Sequence, residues 1–277
     1  MAHAEGTETA IVTGAAQGIG RAIARKLASR GINILIADIK EDAGKATAES
    51  IAKEFGVDAA FVRANMTKEE DIKNMVEEVV KRWGRLDWAV NNAGAGEMLE
   101  DNEDNISAAD FDRLAALDQR GVWLCQKYEA AQMRKQELRV PKGTKPEQGG
   151  VPHRGAIVNV ASMCGHASTG MPSYTAAKHA VLGITKSGGM YYGPFGIRCN
   201  AISPGPVTSP EFFRFLENHE YYAKQAKGWK DRCPLQRWST CEEQANVASF
   251  LLSGESSYVN GIDILVDGGI TTVINSY

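Results

Sequence analysis

Short apolar segments alternate with longer amphipathic stretches along the 277-residue chain. The segments Ile32–Ala37 (INILIA) and Ala156–Ala161 (AIVNVA) are almost continuously apolar, with no regular polar alternation. Strands buried on both faces have this pattern, and parallel sheets are buried on both faces because helices cover them. The pattern therefore predicts a parallel sheet between two layers of helices.

The alternation predicts seven strands, at Ala10–Thr13, Ile32–Asp38, Asp58–Ala64, Leu86–Asn91, Ala156–Ala161, Ile197–Ile202 and Asp263–Val266. Long helices are predicted at Gly18–Arg30, Glu41–Phe55, Glu69–Trp83, Ala108–Lys135, Ser173–Tyr192 and Glu242–Ser253. Strand–helix units with right-handed crossovers build a doubly wound sheet. We therefore expect an α/β Rossmann fold, a doubly wound, seven-stranded parallel sheet flanked by helices, in one domain spanning residues 1–277.

Two segments interrupt this rhythm. Residues 134–155 carry six basic and two acidic side chains, which predicts a surface insertion between a helix and a strand. Residues 207–238 follow a strand and predict a helical lid over the substrate, with a set of aromatic side chains: Phe212, Phe213, Phe215, Tyr221, Tyr222, Trp229 and Trp238. Two interpretations of these rings stay open: they line a substrate pocket, or they pack the lid onto the domain.

A glycine-rich turn, Thr13–Gly20 (TGAAQGIG), joins the first strand to the first helix. Glycines at 14, 18 and 20 allow a sharp turn and a close approach to a ligand, and the N–H groups that open the helix can then bind a diphosphate. A tight turn without a ligand is the alternative for such a motif alone. Asp38 ends the second strand, where a carboxylate accepts from ribose hydroxyls and repels a 2′-phosphate. NAD is therefore predicted in preference to NADP, although Lys40 lies nearby.

Composition and cysteine usage exclude several classes of function. The formal net charge of -3 gives no basic surface for nucleic acid. The five cysteines form no Cys-x-x-Cys pair and the five histidines show no metal-ligand spacing, which predicts free thiols, a cytoplasmic location and no metal site. No signal-peptide core or long apolar run is found, which predicts no membrane segment. No Gly-x-Ser-x-Gly elbow of a hydrolase occurs either.

A series of motifs resembles, in order and spacing, that of the short-chain dehydrogenases/reductases. They are Thr13–Gly20, Asn91–Gly94, Ser162 at the end of a strand, Tyr174-x-x-x-Lys178, Pro204–Ser209 and Asp267–Gly269. Each is weak alone, but together they cover nearly the whole chain. The resemblance implies an oxidoreductase that transfers a hydride between NAD(H) and the alcohol/ketone pair of a small, apolar or ring-containing substrate. It also implies a homotetramer or homodimer.

The resemblance further implies a set of cofactor contacts besides Tyr174 and Lys178, namely Thr13, Gly14, Gln17, Gly18, Ile19, Gly20, Asp38, Asn65, Met66, Asn92, Ala93, Gly94, Pro204, Gly205, Val207, Thr208 and Ser209. Within this set, the loop 92–94 would line the adenosine ribose and the Val207 backbone would meet the nicotinamide carboxamide. Asn65, where the family often has Asp, would accept from the adenine amino group. Ser209 replaces the usual Thr and keeps its hydroxyl.

Tyr174 and Lys178 share one helix face because they are four residues apart. A phenol has an ordinary pKa near ~10, and a neighbouring ammonium together with a positive nicotinamide ring lowers that pKa. The resemblance implies that Tyr174 is general base in alcohol oxidation and general acid in ketone reduction. Ser162 would polarise the substrate oxygen, and Lys178 would also hold the nicotinamide ribose.

Asp118 stands where the family usually has Asn. The resemblance gives that position the role of holding a helix kink and a proton-relaying water through its main-chain carbonyl, which Asp118 retains. Its added charge leaves two outcomes open: the relay is kept and retuned, which we expect, or redox turnover is weakened. In the second case the scaffold serves a dehydratase, isomerase or cyclase reaction, or a cofactor-binding protein without turnover.

The surroundings of the substrate are predicted less sharply. The loop at residues 97–112 carries seven acidic and no basic side chains, which predicts a solvated loop, with attraction of a cationic substrate as the alternative. Further residues that could border the pocket are Met98, Met163, Cys164, His166, Met171 and Tyr191.

Overall fold

The computed structural model describes residues 7–97, 102–141 and 150–272. Seven strands form one parallel sheet in the order β3-β2-β1-β4-β5-β6-β7. The strands are β1 (Thr9–Thr13), β2 (Asn33–Asp38), β3 (Ala59–Arg63), β4 (Trp88–Asn91), β5 (Gly155–Val160), β6 (Ile197–Pro204) and β7 (Asp263–Val266). The predicted doubly wound sheet is confirmed. Strand order reverses between β1 and β4, and ligands of such sheets bind at the carboxyl ends of the strands beside this point.

The helices are α1 (Gly18–Ala28), α2 (Glu41–Phe55), α3 (Glu69–Trp83), α4 (Ala108–Leu114), α5 (Val122–Met133), α6 (Pro172–Tyr192), α7 (Pro210–Asn218), α8 (Glu220–Arg232) and α9 (Cys241–Leu252). The continuous helix predicted at Ala108–Lys135 is interrupted by a π-helical turn at Ala115–Gly121. Such turns often occur at functional sites, and this one carries the fully buried Asp118. The apolar periodicity did not predict it.

The two faces of the sheet are buried under different helices. In β2, Ile34 and Ile36 belong to the core that includes Leu27 of α1, whereas Leu35 belongs to the opposite core with Met75 of α3. Successive side chains of a strand point to opposite faces, so a continuously apolar strand supplies both cores. This explains why the strands lack a polar alternation.

The two segments that interrupt the rhythm have different structures. In the insertion at residues 134–155, Arg139 and His153 pair as an antiparallel bridge, and residues 142–149 lie outside the described part. Residues 207–238 contain α7 and α8, and their base is closed by a parallel bridge between Val207 and Ser239. Within the described ranges, no helix is both long and apolar enough to cross a bilayer.

Candidate active site

A cavity of about 290 Å³ opens where β1, β4, β5 and β6 end. Most of the predicted site residues line it: Gly14, Gln17, Gly18, Ile19, Asn92, Gly94, Asp118, Ser162, Tyr174, Lys178, Pro204, Gly205, Val207 and Ser209. The predicted residues that lie outside its wall are Thr13, Gly20, Asp38, Asn65, Met66, Ala93 and Thr208. The fold thus brings the glycine turn, the Tyr-x-x-x-Lys pair and the β6 loop into one cavity.

The glycine turn is in backbone contact with the loop that follows β4, residues 92–97 (the β4 loop). Gly14 has a φ of +64°, and a Cβ there would lie 2.7 Å from Ala93 Cα. A Cβ on Gly20 would lie 2.5 Å from the backbone oxygen of Gly14 and 2.5 Å from Asn92 Nδ2, so only glycine fits either position. Gln17 precedes α1, and its side chain accepts no hydrogen bond from the helix. The backbone N–H groups of the first turn of α1 therefore have no side-chain cap. This cradle fits a diphosphate at a helix N-terminus.

Hydrogen bonds fix the β4 loop against the turn. Thr13 Oγ1 accepts from the backbone N–H groups of Asn92 and Ala93, both at 3.0 Å. Asn92 Nδ2 donates to the carbonyl oxygens of Thr13 at 3.0 Å and Gly14 at 3.1 Å. Thr13 and the Asn92 amide nitrogen therefore shape the cradle through bonds within the protein.

The predicted adenosine contacts already have partners in the protein. The two Asp38 carboxylate oxygens each accept a backbone N–H at 2.9 Å, from Ala16 and Lys40. Asn65 Oδ1 accepts from Thr67 N at 3.0 Å and from Thr67 Oγ1 at 2.9 Å. The contact of Asn65 with an adenine amino group stays a prediction and would require a shared acceptor oxygen. Buried Met66 packs in the core.

The β6 loop is anchored to the segment that follows α8. Thr208 donates to the Ser239 carbonyl oxygen through its N–H at 2.9 Å and its hydroxyl at 3.0 Å. Ser209 Oγ accepts from Phe212 N at 3.1 Å and so caps α7. Val207 is buried in the cavity wall. The Thr208 and Ser209 hydroxyls thus form hydrogen bonds within the protein. Ser209, which stands where the family usually has Thr, caps α7 with its hydroxyl.

Tyr174, Lys178 and Ser162 converge at the base of the cavity. Lys178 Nζ lies 5.3 Å from the centre of the Tyr174 ring and donates to Val160 O at 3.2 Å. Ser162 Oγ accepts from Cys164 N at 3.1 Å, and a hydrogen bond from its hydroxyl to the Tyr174 side chain acts to lower the pKa of that phenol. Tyr174 is partly buried and faces the same space.

Asp118 meets this group through its side chain. Its Oδ2 forms an ion pair with Lys178 Nζ at 3.1 Å, and its Oδ1 accepts from Ala95 N at 2.9 Å. Gly94 permits the approach, because a Cβ there would lie 2.9 Å from Asp118 Oδ2. The resemblance assigned this position a main-chain role only; the carboxylate contact with the lysine follows from the substitution of Asn by Asp.

The charges in the group oppose one another. Burial raises the pKa of Tyr174 above its ordinary value, Lys178 acts in the lowering direction, and the charge of Asp118 adds to the increase. Burial disfavours the Lys178 ammonium, but the Asp118 carboxylate and the Tyr174 oxygen outweigh it and raise the lysine pKa. Lys178 therefore acts on the phenol in the predicted direction, and burial has the larger effect.

Glu97 is a site residue that the sequence analysis did not identify. Its side chain is 4% exposed, whereas the described acidic residues of the same loop from position 103 onward are exposed. Its Oε1 accepts from Ser173 Oγ at 2.6 Å and its Oε2 from Tyr174 N at 2.9 Å. Two features of the sequence could have indicated this role. A carboxylate stands three residues after Asn91–Gly94, and the helix that carries Tyr174 is preceded by Met171, whose side chain cannot cap a helix.

Aromatic rings from α7 and α8 form the outer wall of the cavity. Four of the seven predicted rings line it: Phe212, Phe215, Tyr222 and Trp229. Tyr222 contacts its neighbours with ring centres at 5.3 Å from Phe215 and 5.5 Å from Trp229. The remaining rings, Phe213, Tyr221 and Trp238, lie outside the wall. Part of the aromatic set therefore faces the cavity, and the contact of these rings with a substrate stays a prediction.

Sulfur-containing side chains also line the wall and pack in one cluster with the rings. Met163, Cys164 and Met171 line the cavity, whereas His166 and Tyr191 do not, and Met98 lies outside the described residues. All five cysteines are free and buried. Across the described ranges, no three His, Cys, Asp or Glu side chains form a group suited to a metal ion.

The chain is similar in sequence to known oxidoreductases over nearly its whole length. A family model described as enoyl-(acyl carrier protein) reductase matches residues 14–271. A 2,5-dichloro-2,5-cyclohexadiene-1,4-diol dehydrogenase of Sphingobium indicum is 36% identical over 273 residues, which cover 96% of this chain and 98% of the relative. The chain belongs to the short-chain dehydrogenase/reductase family.

Solved structures of this family agree with the assignment. The crystal structure of levodione reductase is 30% identical, with a TM-score of 0.85 and coverage of 96% of this chain and 98% of the other. A putative NAD(P)-dependent gluconate 5-dehydrogenase from Beutenbergia cavernae, with NADP bound at low occupancy, is 30% identical with a TM-score of 0.81 and coverage of 96% and 97%.

The short-chain dehydrogenase/reductase described here is an oxidoreductase that acts on an alcohol or carbonyl group with a nicotinamide dinucleotide. Neither the diol dehydrogenase nor levodione reductase favours a non-redox enzyme or a binding protein.

Proposed function

We propose that this enzyme transfers a hydride between NAD(H) and the alcohol/ketone pair of a small, largely apolar, ring-containing substrate, with Tyr174 as the acid–base residue. The observation that carries the proposal is the shared cavity. Tyr174 and Lys178 lie between the glycine turn on one side and the aromatic wall on the other. A substrate in that space meets the phenol and the reactive end of a dinucleotide together.

When bound, the nicotinamide supplies the hydride chemistry, and the protein supplies geometry and proton transfer. In alcohol oxidation, Tyr174 takes the proton of the substrate hydroxyl, and in ketone reduction it returns one. Ser162 donates a hydrogen bond to the same substrate oxygen. Lys178 favours the phenolate by its charge and reaches the nicotinamide ribose.

Asp118 retunes this arrangement. Its carboxylate lies 3.1 Å from the Lys178 ammonium, so the positive charge of the lysine acts on both the carboxylate and the phenol. A lysine that is partly neutralised stabilises the phenolate less, so higher pH is needed for the base to form. The main-chain carbonyl of Asp118 is chemically the same as that of Asn, so the role in the proton relay that the resemblance implies is kept.

NAD is proposed in preference to NADP because of the charge at the end of β2. Asp38 is buried beside the glycine turn and holds both carboxylate oxygens toward backbone N–H groups. A 2′-phosphate at the adenosine ribose would meet this carboxylate, whereas ribose hydroxyls can donate to it. The diphosphate would rest on the turn at Gly14, Gln17, Gly18 and Ile19, and the nicotinamide against Val207.

The wall of the cavity argues for an uncharged ring. Phe212, Phe215 and Trp229 offer flat apolar surfaces, and Tyr222 adds a hydroxyl at which burial raises the pKa, so that it stays protonated. Apolar pockets with few polar groups bind apolar ligands and orient them through those groups. The cyclohexadiene-diol named for the Sphingobium relative is a substrate of this kind.

The experiment is a turnover assay at the reduced-nicotinamide absorbance band, with cyclic and acyclic alcohols and ketones, run with NAD(H) and NADP(H) in parallel. The Tyr174→Phe variant should lose about 10²–10⁴-fold in kcat with cofactor affinity retained, because it lacks only the transferable proton. Tyr191→Phe is the matched control, since that side chain is exposed outside the cavity. Wild-type turnover in Tyr174→Phe would contradict the proposal.

We also propose a homotetramer or homodimer in the cytoplasm. Large apolar side chains are exposed on two neighbouring helices, with Trp123 on α5 and Met190 on α6. Association would cover such side chains. Five unpaired, buried cysteines are consistent with a reducing compartment. Sedimentation velocity of the purified enzyme tests the assembly, and a monomer at micromolar concentration would contradict it.

A further inference from the structure

Glu97 occupies an unusual place for a carboxylate. It lies at the end of the β4 loop, 4% exposed, in the wall of the active-site cavity. Both its oxygens are used: Oε1 accepts from Ser173 Oγ at 2.6 Å and Oε2 from Tyr174 N at 2.9 Å. A buried carboxylate loses much hydration free energy, and hydrogen bonds to both oxygens offset this loss.

These bonds replace a missing helix cap. The residue before α6 is Met171, which makes no side-chain cap, and Pro172 opens the helix. Tyr174 is then the third residue of the helix, where a capping side chain usually accepts the backbone N–H. Glu97 reaches this N–H from another segment, and its negative charge also suits the positive end of the helix.

The same loop contacts the cofactor cradle and the lysine partner. Asn92 at its start is bonded to the glycine turn, and Ala95 in its middle donates to Asp118 at 2.9 Å. Glu97 at its end holds the backbone of the tyrosine. The loop at residues 92–97 thus joins the diphosphate cradle, the Lys178 partner and the catalytic helix in six consecutive residues.

We propose that Glu97 is a positioning residue that fixes the first turn of α6, and with it the Tyr174 hydroxyl, relative to the bound dinucleotide. This inference rests on the proposed function of Tyr174. The first turn of a helix lacks intrahelical partners for its N–H groups and loosens without a cap. Tyr174 lies in that turn, whereas Lys178 lies one turn further into the helix. Loss of Glu97 therefore displaces the phenol more than the ammonium.

Four variants of the full-length enzyme test the role. Glu97→Ala removes both hydrogen bonds. Glu97→Gln removes the charge but keeps an acceptor for Tyr174 N and a donor for Ser173 Oγ. Ser173→Ala removes one bond and leaves the bond to the backbone. Glu243→Ala is the matched control, because Glu243 accepts from Thr240 N at the start of α9, away from the active-site cavity.

Glu97→Ala should lower kcat about a hundredfold, because displacement of a catalytic group by about 1 Å has that effect. The Kd for NADH, from fluorescence titration, should stay within about threefold, well under the 1.4 kcal/mol of a tenfold change. Glu97→Gln should recover most of the kcat, and Ser173→Ala should fall between the two. Glu243→Ala should lower the unfolding temperature and leave kcat unchanged.

Three results would overturn the inference. The first is a folded Glu97→Ala variant with kcat near that of the wild type. The second is a folded Glu97→Gln variant as slow as Glu97→Ala, which would assign the effect to charge rather than position. If Glu97→Ala does not fold, the third is a wild-type kcat in Ser173→Ala together with a kcat of Glu97→Gln about a hundredfold below that of the wild type. Turnover retained in Tyr174→Phe would instead remove the proposed function itself, which separates the two failures.

Discussion

The cavity has two halves that are built differently. The half that we propose for the cofactor (the cofactor half), residues 13–20 and 91–94, brings backbone into direct contact with backbone, as at Gly14 and Ala93, where an added Cβ would lie at 2.7 Å. The half that we propose for the substrate (the substrate half), residues 207–238, consists of side chains on two helices, with ring centres 4.9 to 6.2 Å apart around Phe212 and Tyr222. The cofactor half excludes any side chain at Gly14 and Gly20, whereas the substrate half consists of replaceable side chains.

The difference shows how one fold can keep its cofactor and change its substrate. Backbone contacts depend on the absence of side chains, so few substitutions are tolerated. Contacts between rings tolerate a range of distances and angles. Each ring contributes apolar area that another apolar residue can partly replace. Substitutions in the two halves should therefore affect different steps, and to different degrees.

Among the substitutions that compare the two halves, the largest effect is expected from Gly14→Ala. Gly14 and Gly56 both have positive φ, +64° and +67°, but a Cβ on Gly56 would meet nothing within 4 Å. Both alanine variants should lose about 1–2 kcal/mol of unfolding free energy from the left-handed backbone. Only Gly14→Ala should also raise the Kd for NADH, by about a hundredfold or about 2.7 kcal/mol, since its Cβ separates the turn from the β4 loop. Equal affinities in the two variants, measured by calorimetry, would contradict the backbone contact.

A smaller and selective effect is expected from Phe215→Ala. This ring lines the cavity and touches Tyr222, and its removal should lower kcat/KM for cyclic substrates about tenfold, the equivalent of about 1.4 kcal/mol of lost apolar contact. The values for small acyclic alcohols and the Kd for NADH should not change. Tyr221→Ala, on the same lid but outside the wall, is the control. A loss that is equal for cyclic and acyclic substrates would show that the ring supports the lid rather than the substrate.

The smallest effect is expected at the junction of the halves, from Asp118→Asn. The Asp118 charge raises the pKa of Tyr174, so its removal lowers that pKa and shifts the acidic limb of kcat/KM for alcohol oxidation to lower pH. The shift should be about one pH unit or less, with a change in kcat below about tenfold. Asp87→Asn is the control, because Asp87 is equally buried and ion-paired but lies outside the cavity. A gain of a hundredfold, about 3 kcal/mol, would instead mean that Asp118 suppresses turnover.

The cofactor half was largely predictable from the sequence. Glycine has a recognisable conformational role, so Gly14 and Gly18 could be assigned to the turn, and continuously apolar strands indicated a parallel sheet. The Tyr174–Lys178 pair was assigned from the resemblance to the family, and its spacing of four puts both side chains on one helix face. These features depend on residues close in sequence or on a repeated pattern, and local patterns carry that information.

The remaining features depend on contacts between distant segments. Glu97 was expected in a solvated loop, and only the fold brings it to Ser173 and Tyr174, 76 and 77 residues away. The π-helical turn around Asp118 has no apolar signature, because it changes the number of residues per turn and not their polarity. Which aromatic rings face the cavity depends on how α7 and α8 turn, and a composition rich in aromatic residues does not specify that.

The ion pair of Asp118 with Lys178 has a consequence for which molecules the enzyme accepts. Once that pair is neutral, the other carboxylates among the described residues of the wall are those of Glu97 and Glu211, and Glu211 is itself ion-paired with Arg214. Glu97 then leaves the wall with a negative charge that no cation of the described wall balances. A sugar acid or another anion would be repelled, whereas a neutral ring gains the full contact with Phe215 and Trp229. Selection by charge would thus precede selection by shape.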